Sequence, residues 1–500
     1  MTDPSLGNRT IVATVWSGVG IYGQRLITLG VGMVLSRTLS AGDFGLIALI
    51  GFAGGFFSVL SDCGISNAVV QFRDFERREL GSLLIFSMLL SVGITAMMWL
   101  SAPLIAAFFK NNALIPVCRV LSIGLFFTAV SAVPTGLLKR DMRFKELAKY
   151  QMFATSMGAV VCLYGVYLGL SYWAVVAQVL VTSILGSVVV FWLARLPPFG
   201  SFGIEAVKRV FSFSGYLLIG DIVRYIGRNA EVIVIGRALG EGPLGQYNRA
   251  YSLFMLPVSL MASALNPVLH SSLSSIQDDR DRMRTAYLQI VRLIATISMP
   301  VMAVSVVLGP ELVRLCWGPN WSESIPIFQV LGVAAMVQPL IAPSGAVFMA
   351  QSKTKWFFRM ALCNNTLILI TITIGVQFGL IGVAWGYTTG AVVTFSIVLY
   401  ITLGKLLGTS MAEFISTVRF PLMLAAVLTA FAVVVAWGAR IYFDYVMVLV
   451  LVVVPVSVIY LLSVATWQRS LLEKLAKSLP SVPQSVLLTW LNRLSFAHGK

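Results

Sequence analysis

Apolar stretches of twenty or more residues recur along this chain at intervals too short to hold a soluble domain between them. A helix needs about 20 mostly apolar residues to cross a bilayer. That ruler finds about fourteen spans: 11–34, 44–70, 81–108, 114–138, 147–169, 172–194, 211–235, 247–273, 286–309, 324–350, 357–378, 381–404, 417–439 and 444–466. Composition agrees, since 58% of residues are hydrophobic and 11% charged, against about 25% charged in soluble domains. So few charges cannot clothe a water-facing surface of this size. The fold class expected is an all-α polytopic membrane protein. The apolar stretch after residue 10 is too long for the core of a secretory signal, so a retained first helix is expected.

The net charge of +16 would suggest nucleic acid in a soluble protein. Here its placement explains it. With the N-terminus in the cytoplasm, 26 of the 36 basic residues fall in cytoplasmic loops, the tail or the span ends beside them, six fall on the outer side and the other four lie within spans. That is the positive-inside bias. It predicts cytoplasmic termini at both ends and requires no nucleic-acid partner. Five cysteines (Cys63, Cys118, Cys162, Cys316 and Cys363) share no metal-ligand or redox spacing. No phosphate-cradling Walker A loop is present. No metal, cofactor or catalytic residue is therefore expected. Outside loops reach no more than about fifteen residues, too short to carry the chemistry of a sugar polymerase or ligase. A non-enzymatic membrane protein is the expectation.

An internal repeat organises the chain. Val34-Leu-Ser-Arg37-Thr-Leu39-Ser-Ala-Gly42-Asp-Phe44-Gly45 matches Val234-Ile-Gly-Arg237-Ala-Leu239-Gly-Glu-Gly242-Pro-Leu244-Gly245 at an offset of 200. Pro134-Thr-Gly136 matches Pro343-Ser-Gly345, and Gly169-Leu170 through Ala174 matches Gly379-Leu380 through Ala384 at an offset of 210. Six spans per repeat put both halves in one orientation, as in transporters that rock two lobes about a central cavity. The expected organisation is an N-terminal lobe at 1–195, a cytoplasmic linker at 196–210, and a C-terminal lobe at 211–407. Two extra spans at 408–467 and an amphipathic cytoplasmic tail at 468–500 complete it.

Charges within spans are costly and face the protein interior. Asp221, Arg224, Arg228 and Glu231 follow one another at spacings of 3, 4 and 3, one face of a continuous helix. Arg25 occupies the repeat-equivalent first span, Asp62 the second, and Arg119 lies near the outer end of the fourth. One reading has neighbouring acids and bases neutralise each other along the helix. The other has Arg25, Arg224 and Arg228 line a cationic cavity for an anionic substrate, because guanidinium stays charged and forks onto phosphate oxygens. Asp62, Asp221 and Glu231 would then position the arginines or couple transport to H+ or Na+. Pro257, Pro339 and Pro343 interrupt spans and are candidate hinges. Trp317 and Trp321 are expected as interfacial belt residues, His270 as a structural histidine, and Asp278 through Arg284 as a solvated cytoplasmic loop.

The chain resembles the polysaccharide exporters (Wzx-type flippases) of the multidrug/oligosaccharidyl-lipid/polysaccharide superfamily, especially colanic acid exporters. Ser36-Arg37-Thr-Leu39-Ser-Ala-Gly42-Asp43-Phe44-Gly45 carries the resemblance, with Gly64-Ile65-Ser66-Asn67-Ala68 and Leu137-Leu-Lys-Arg140-Asp141-Met142-Arg143-Phe144. Tyr247-Asn248-Arg-Ala250-Tyr251 and Gly318-Pro-Asn-Trp321 complete the set. The resemblance implies a bacterial inner-membrane protein that exports undecaprenyl-diphosphate-linked oligosaccharide from the inner to the outer leaflet for exopolysaccharide or lipopolysaccharide synthesis. It also implies a polysaccharide polymerase and a chain-length regulator as partners. Two readings in the same superfamily compete: a flippase for the peptidoglycan lipid precursor, and a drug/cation antiporter. The antiporter calls for an acidic cavity, which the arginines oppose.

Overall fold

The computed structural model describes residues 4–72, 74–194, 203–274, 276 and 279–467. The expected tail at 468–500 and residues 196–202 of the linker lie outside them, as does the side chain of His270. Nineteen α-helices and no strand occur among the described residues. The first eight are α1 (Pro4–Thr38), α2 (Ala41–Asp62), α3 (Ile65–Gln71), α4 (Arg77–Phe109), α5 (Leu114–Val130), α6 (Ala132–Arg140), α7 (Phe144–Tyr167) and α8 (Trp173–Ala194). Then come α9 (Ile204–Arg228), α10 (Ala230–Ala238), α11 (Glu241–Ser274), α12 (Arg280–Val307), α13 (Gly309–Trp317), α14 (Ser324–Val337) and α15 (Ala342–Ala350). The last four are α16 (Thr354–Gly375), α17 (Gly379–Tyr400), α18 (Met411–Tyr442) and α19 (Tyr445–Trp467).

Among the described residues, ten stretches are long and apolar enough to cross a membrane, and one of them, Lys355–Leu407, holds two expected spans. The expected spans 147–169, 211–235 and 247–273 are helical but not among the ten. Each carries polar groups: Lys149 and Gln151 in α7, Asp221, Arg224 and Arg228 in α9, and Glu241 and Arg249 in α11. A multi-pass helical membrane protein stands; a count of fourteen spans is an expectation that the apolar criterion alone does not reach.

The chain forms two compact units. One comprises residues 1–249 and 372–383, the other 250–371 and 384–500. In the first unit α1 packs along α7, α7 along α8, and α4 along α5. Gly20 and Gly23 let α1 approach closely, since a Cβ there would stand 2.9 Å from Ala148 and 2.8 Å from Met152. Ser40 caps α2: its hydroxyl accepts from the Asp43 amide at 3.2 Å, and its own amide donates to the Asp43 carboxylate at 3.0 Å. Such a reciprocal cap is worth about 1 kcal/mol. Asp43 also accepts from Ser171 at 2.6 Å, tying α2 to the α7–α8 turn.

The repeat is visible in the backbone. Gly169 and Gly379, matched in sequence, take φ values of +78° and +75°, a conformation that glycine adopts without strain. The start of α11 crosses the start of α2 at matched residues: a Cβ on Gly45 would lie 1.8 Å from the Glu241 carbonyl oxygen, and one on Gly245 would lie 1.9 Å from that of Ala41. The expected spans 114–138 and 324–350 both break near matched positions, α5 from α6 at Ser131 and α14 from α15 over Gln338–Ile341. Pro134 and Pro343 explain this, because proline supplies no amide to the preceding turn.

In the second unit α12 runs along α18, and α18 packs on α19. Arg440 forks onto Glu311 at 2.7 and 2.9 Å, and Arg284 pairs with Glu413. Three expectations are corrected here. Residues 280–284 form the first turn of α12, capped by the Asp279 carboxylate accepting from the Arg282 amide at 3.0 Å, not a loop. Trp317 and Trp321 are 2% and 1% exposed, so they are core side chains, not belt residues. The expected single span 211–235 is two helices that part at Asn229. There the Asn229 side-chain amide donates to the Tyr225 carbonyl at 2.8 Å, a local bond that competes with the helical ladder.

Candidate functional site

The first unit encloses a polar cavity of about 380 Å³ inside a chain that is otherwise mostly apolar. Seven helices line it, α3 through Ser66. Gln24 comes from α1, Ser58, Ser61 and Asp62 from the end of α2, and Thr128 from α5. Ser131 and Thr135 flank the α5–α6 break, and Lys139 reaches in from α6. Tyr150, Gln151 and Thr155 come from α7, and Thr182, Ser183 and Ser187 from α8. Helical spacing makes this possible: 128, 131 and 135, 151 and 155, and 183 and 187 each recur at three or four residues, one face of a helix. The α2–α3 junction shapes one wall. Cys63 and Gly64 take φ of +39° and +70°, ending α2 at Asp62 and aiming α3 elsewhere.

Hydrogen bonds hold the lining. The Gln24 amide donates to Gln151 Oε1 at 3.2 Å, joining α1 to α7. Ser131 and Ser187 bond directly, joining the α5–α6 break to α8. Lys139 Nζ donates to Ser66 Oγ at 3.3 Å. The Asp62 carboxylate accepts from the Ser66 amide, lies in the field of the Lys139 ammonium, and senses the negative charge of Asp221. One acid and one base thus stand in a cavity otherwise lined by hydroxyls and amides.

Next to it lies the charged face of α9. Tyr225 fastens this helix to α2: its hydroxyl donates to the Phe52 carbonyl at 2.8 Å, and its ring stacks on Phe52 with centroids 5.9 Å apart. Gly55 makes room, since a Cβ there would lie 2.3 Å from the Tyr225 hydroxyl. Asp221 and Arg224 pair at 2.9 Å and both are exposed. Arg228 is exposed and has no ion pair among the described residues. Glu231 belongs to α10 and is 4% exposed, so the break at Asn229 separates it from that face. Arg25 is exposed on α1, one residue beyond Gln24.

All six charged residues picked from sequence therefore fall in the first unit, with Asp62 in the cavity wall and Asp221, Arg224 and Arg228 together on α9. The prolines lie in the second unit: Pro257 in α11, Pro339 in the break before α15, and Pro343 in the first turn of α15. Pro257 and Pro339 border a pocket of about 150 Å³ lined by Val258, Ile297, Ser298, Val301, Met302 and Ala335. Sequence reasoning passed over Lys139, counted with a cytoplasmic loop, and over Tyr150 and Gln151. The signal available was the three-and-four spacing of hydroxyl residues within apolar spans. Charge alone had drawn attention.

Residues 34–326 match the family model described as polysaccharide biosynthesis protein. The lipopolysaccharide biosynthesis protein WzxC of Escherichia coli (strain K12) is 24% identical over 428 residues, 84% of this chain and 86% of that protein. The teichuronic acid biosynthesis protein TuaB of Bacillus subtilis (strain 168) is 23% identical over 430 residues, 85% of this chain and 88% of that protein. Among solved structures, the lipid II flippase MurJ in an inward closed conformation aligns with a TM-score of 0.73 at 14% identity, covering 91% of this chain and 99% of that one. At that identity the likeness concerns the fold.

Proposed function

We propose, from the premise that this chain belongs to the polysaccharide biosynthesis protein family, that it flips undecaprenyl-diphosphate-linked oligosaccharide units from the inner to the outer leaflet of a bacterial inner membrane. The observation that carries this reading is the pair of exposed arginines, Arg224 and Arg228, on a helix embedded in an apolar chain. A lipid diphosphate is anionic and needs such a receptor. In this reading Arg228 and Arg25 take phosphate oxygens directly, and the diphosphate competes with Asp221 for Arg224. Arginine's fork suits phosphate better than a point charge does. Sugar hydroxyls meet the polar cavity beside α9. Both termini face the cytoplasm, so the loops keep their positive-inside bias.

Alternating access moves the headgroup, driven by an H+ or Na+ gradient. Asp62 and Asp221 are the coupling groups in this reading, and buried Glu231 sets the position of α10. The breaks at Pro257, Pro339 and Pro343 act as hinges. Recruitment of a polymerase and a chain-length regulator belongs to the same proposal.

The test is leaflet-resolved. Cells lacking the gene are expected to accumulate complete lipid-linked units on the cytoplasmic side, relieved by the intact chain. A charge-assisted hydrogen bond contributes about 1.5–3 kcal/mol, so Arg224→Ala and Arg228→Ala should each lower export about tenfold or more. Lys at either position should keep part of it. Normal export by a well-expressed double Ala variant would sink the cationic site. Complete units reaching the outer leaflet without the gene would sink the flippase itself. Rescue of peptidoglycan precursor transport instead would redirect the substrate.

A further inference from the structure

A second cavity, of about 680 Å³, lies on the α4–α5 hairpin, away from the polar one. Its volume falls in the range of small-molecule pockets, roughly 300–1,000 Å³. Val92, Trp99, Leu100, Ile123 and Phe126 line it, together with Arg119. Val92, Trp99, Leu100 and Ile123 are exposed apolar side chains. The Arg119 guanidinium sits 4.4 Å from the centre of the Trp99 ring, and its buried Nε has no hydrogen-bond partner. The lining holds that one cation and no acid. A lone arginine on an apolar membrane face, without a counter-ion among the described residues, calls for an external one.

Depth and direction identify it. α4 has 33 residues and so runs about 50 Å, well beyond a hydrocarbon core of about 30 Å. Arg119 is five residues into α5, about 7.5 Å from its start, which places it near the boundary between headgroups and chains. Thr95 donates to the Ser122 carbonyl at 3.2 Å and sets the register of the two helices. From Arg119 and Leu100 the groove runs inward to Val92 and Phe126. Along α4 that is about 12 Å, close to the depth of one leaflet.

We propose that this groove binds an anionic phospholipid, with its phosphate on Arg119 and one acyl chain between α4 and α5. The absence of any acid in the lining favours an anionic headgroup over a zwitterionic one. The groove's length fits an ordinary acyl chain and not a polyprenyl chain longer than a leaflet. The site is independent of transport, so it stands or falls apart from the flippase reading.

The full chain in phosphatidylcholine nanodiscs doped with phosphatidylglycerol provides the test, with retained lipid read by native mass spectrometry. The intact chain should hold phosphatidylglycerol about tenfold more strongly than Arg119→Gln. Arg119→Lys should fall between them, because it keeps the charge and loses the fork. Val92→Trp fills the groove and leaves the charge; it should also lose the lipid, and it serves as the test if Arg119→Gln does not fold. Equal retention by Arg119→Gln or by Val92→Trp would overturn the proposal. So would equal retention of phosphatidylcholine, or displacement of phosphatidylglycerol by undecaprenyl phosphate at equal mole fraction.

Discussion

Two pockets occupy related places in the two repeats and differ in chemistry. Ser58 lines the polar cavity of the first unit, and Val258, its partner at the 200-residue offset, lines the small apolar pocket of the second. Both pockets border a break in the matched spans, at Ser131 in one and at Pro339 in the other. The first holds about 380 Å³ walled by hydroxyls, two glutamines, Asp62 and Lys139. The second holds about 150 Å³ and a single serine. Duplicated backbone has been kept while side chains have diverged, so a site is a property of what is grafted onto the fold. Backbone differs as well, at the Asn229 break that α1 lacks and at the end of α2. α2 ends at Asp62 because Gly64 follows at φ +70°, whereas α11, with Ala264 at the offset position, runs on as helix to Ser274.

The largest expected effect falls where the repeats agree. Gly45→Ala and Gly245→Ala would each drive a Cβ into a backbone carbonyl, and neither helix start can yield without displacing the other. Overpacking costs about 1–3 kcal/mol, so both variants should lose melting temperature and monodisperse yield by similar amounts. Unequal losses would break the symmetry of the crossing. Next come the pockets, where the repeats disagree. Ser131→Leu should close the polar cavity and lower export about tenfold, with the protein still folded. Val301→Leu, in the apolar pocket, should leave export unchanged. If both variants exported normally, the polar cavity would have no part in transport.

The smallest effect is at the loop before α4. The Arg209 guanidinium donates to Asp74 at 2.7 Å and holds its carboxyl below the usual aspartate range. A lowered folded-state value means the contribution is present above the ordinary aspartate range and is lost as pH falls through the lowered value. Asp74→Asn should therefore lower melting temperature slightly at neutral pH, and the difference from the intact chain should vanish as pH falls through the lowered value. A large change at neutral pH would mean that the pair holds α9 to α4, beyond what an exposed ion pair usually does.

The class of fold and its repeat were written in the sequence. Twenty-residue apolar runs have one solution in a bilayer, because backbone groups there must bond within their own segment. Matched glycines at 169 and 379 and prolines at 134 and 343 announced the turns and breaks, since each residue type restricts the local dihedrals on its own. Arg224 and Arg228 stood out because charge in an apolar span is costly wherever it points. Tertiary structure decided what depends on neighbours. Asn229 parted α10 from α9 and buried Glu231; burial, not exposure, received Trp317 and Trp321. Hydroxyls from six helices met in one cavity with Lys139 and Asp62. A serine in an apolar helix reads alike whether it bonds its own carbonyl, a neighbouring helix or a ligand. Only packing tells those apart, because the partners lie far away in the chain.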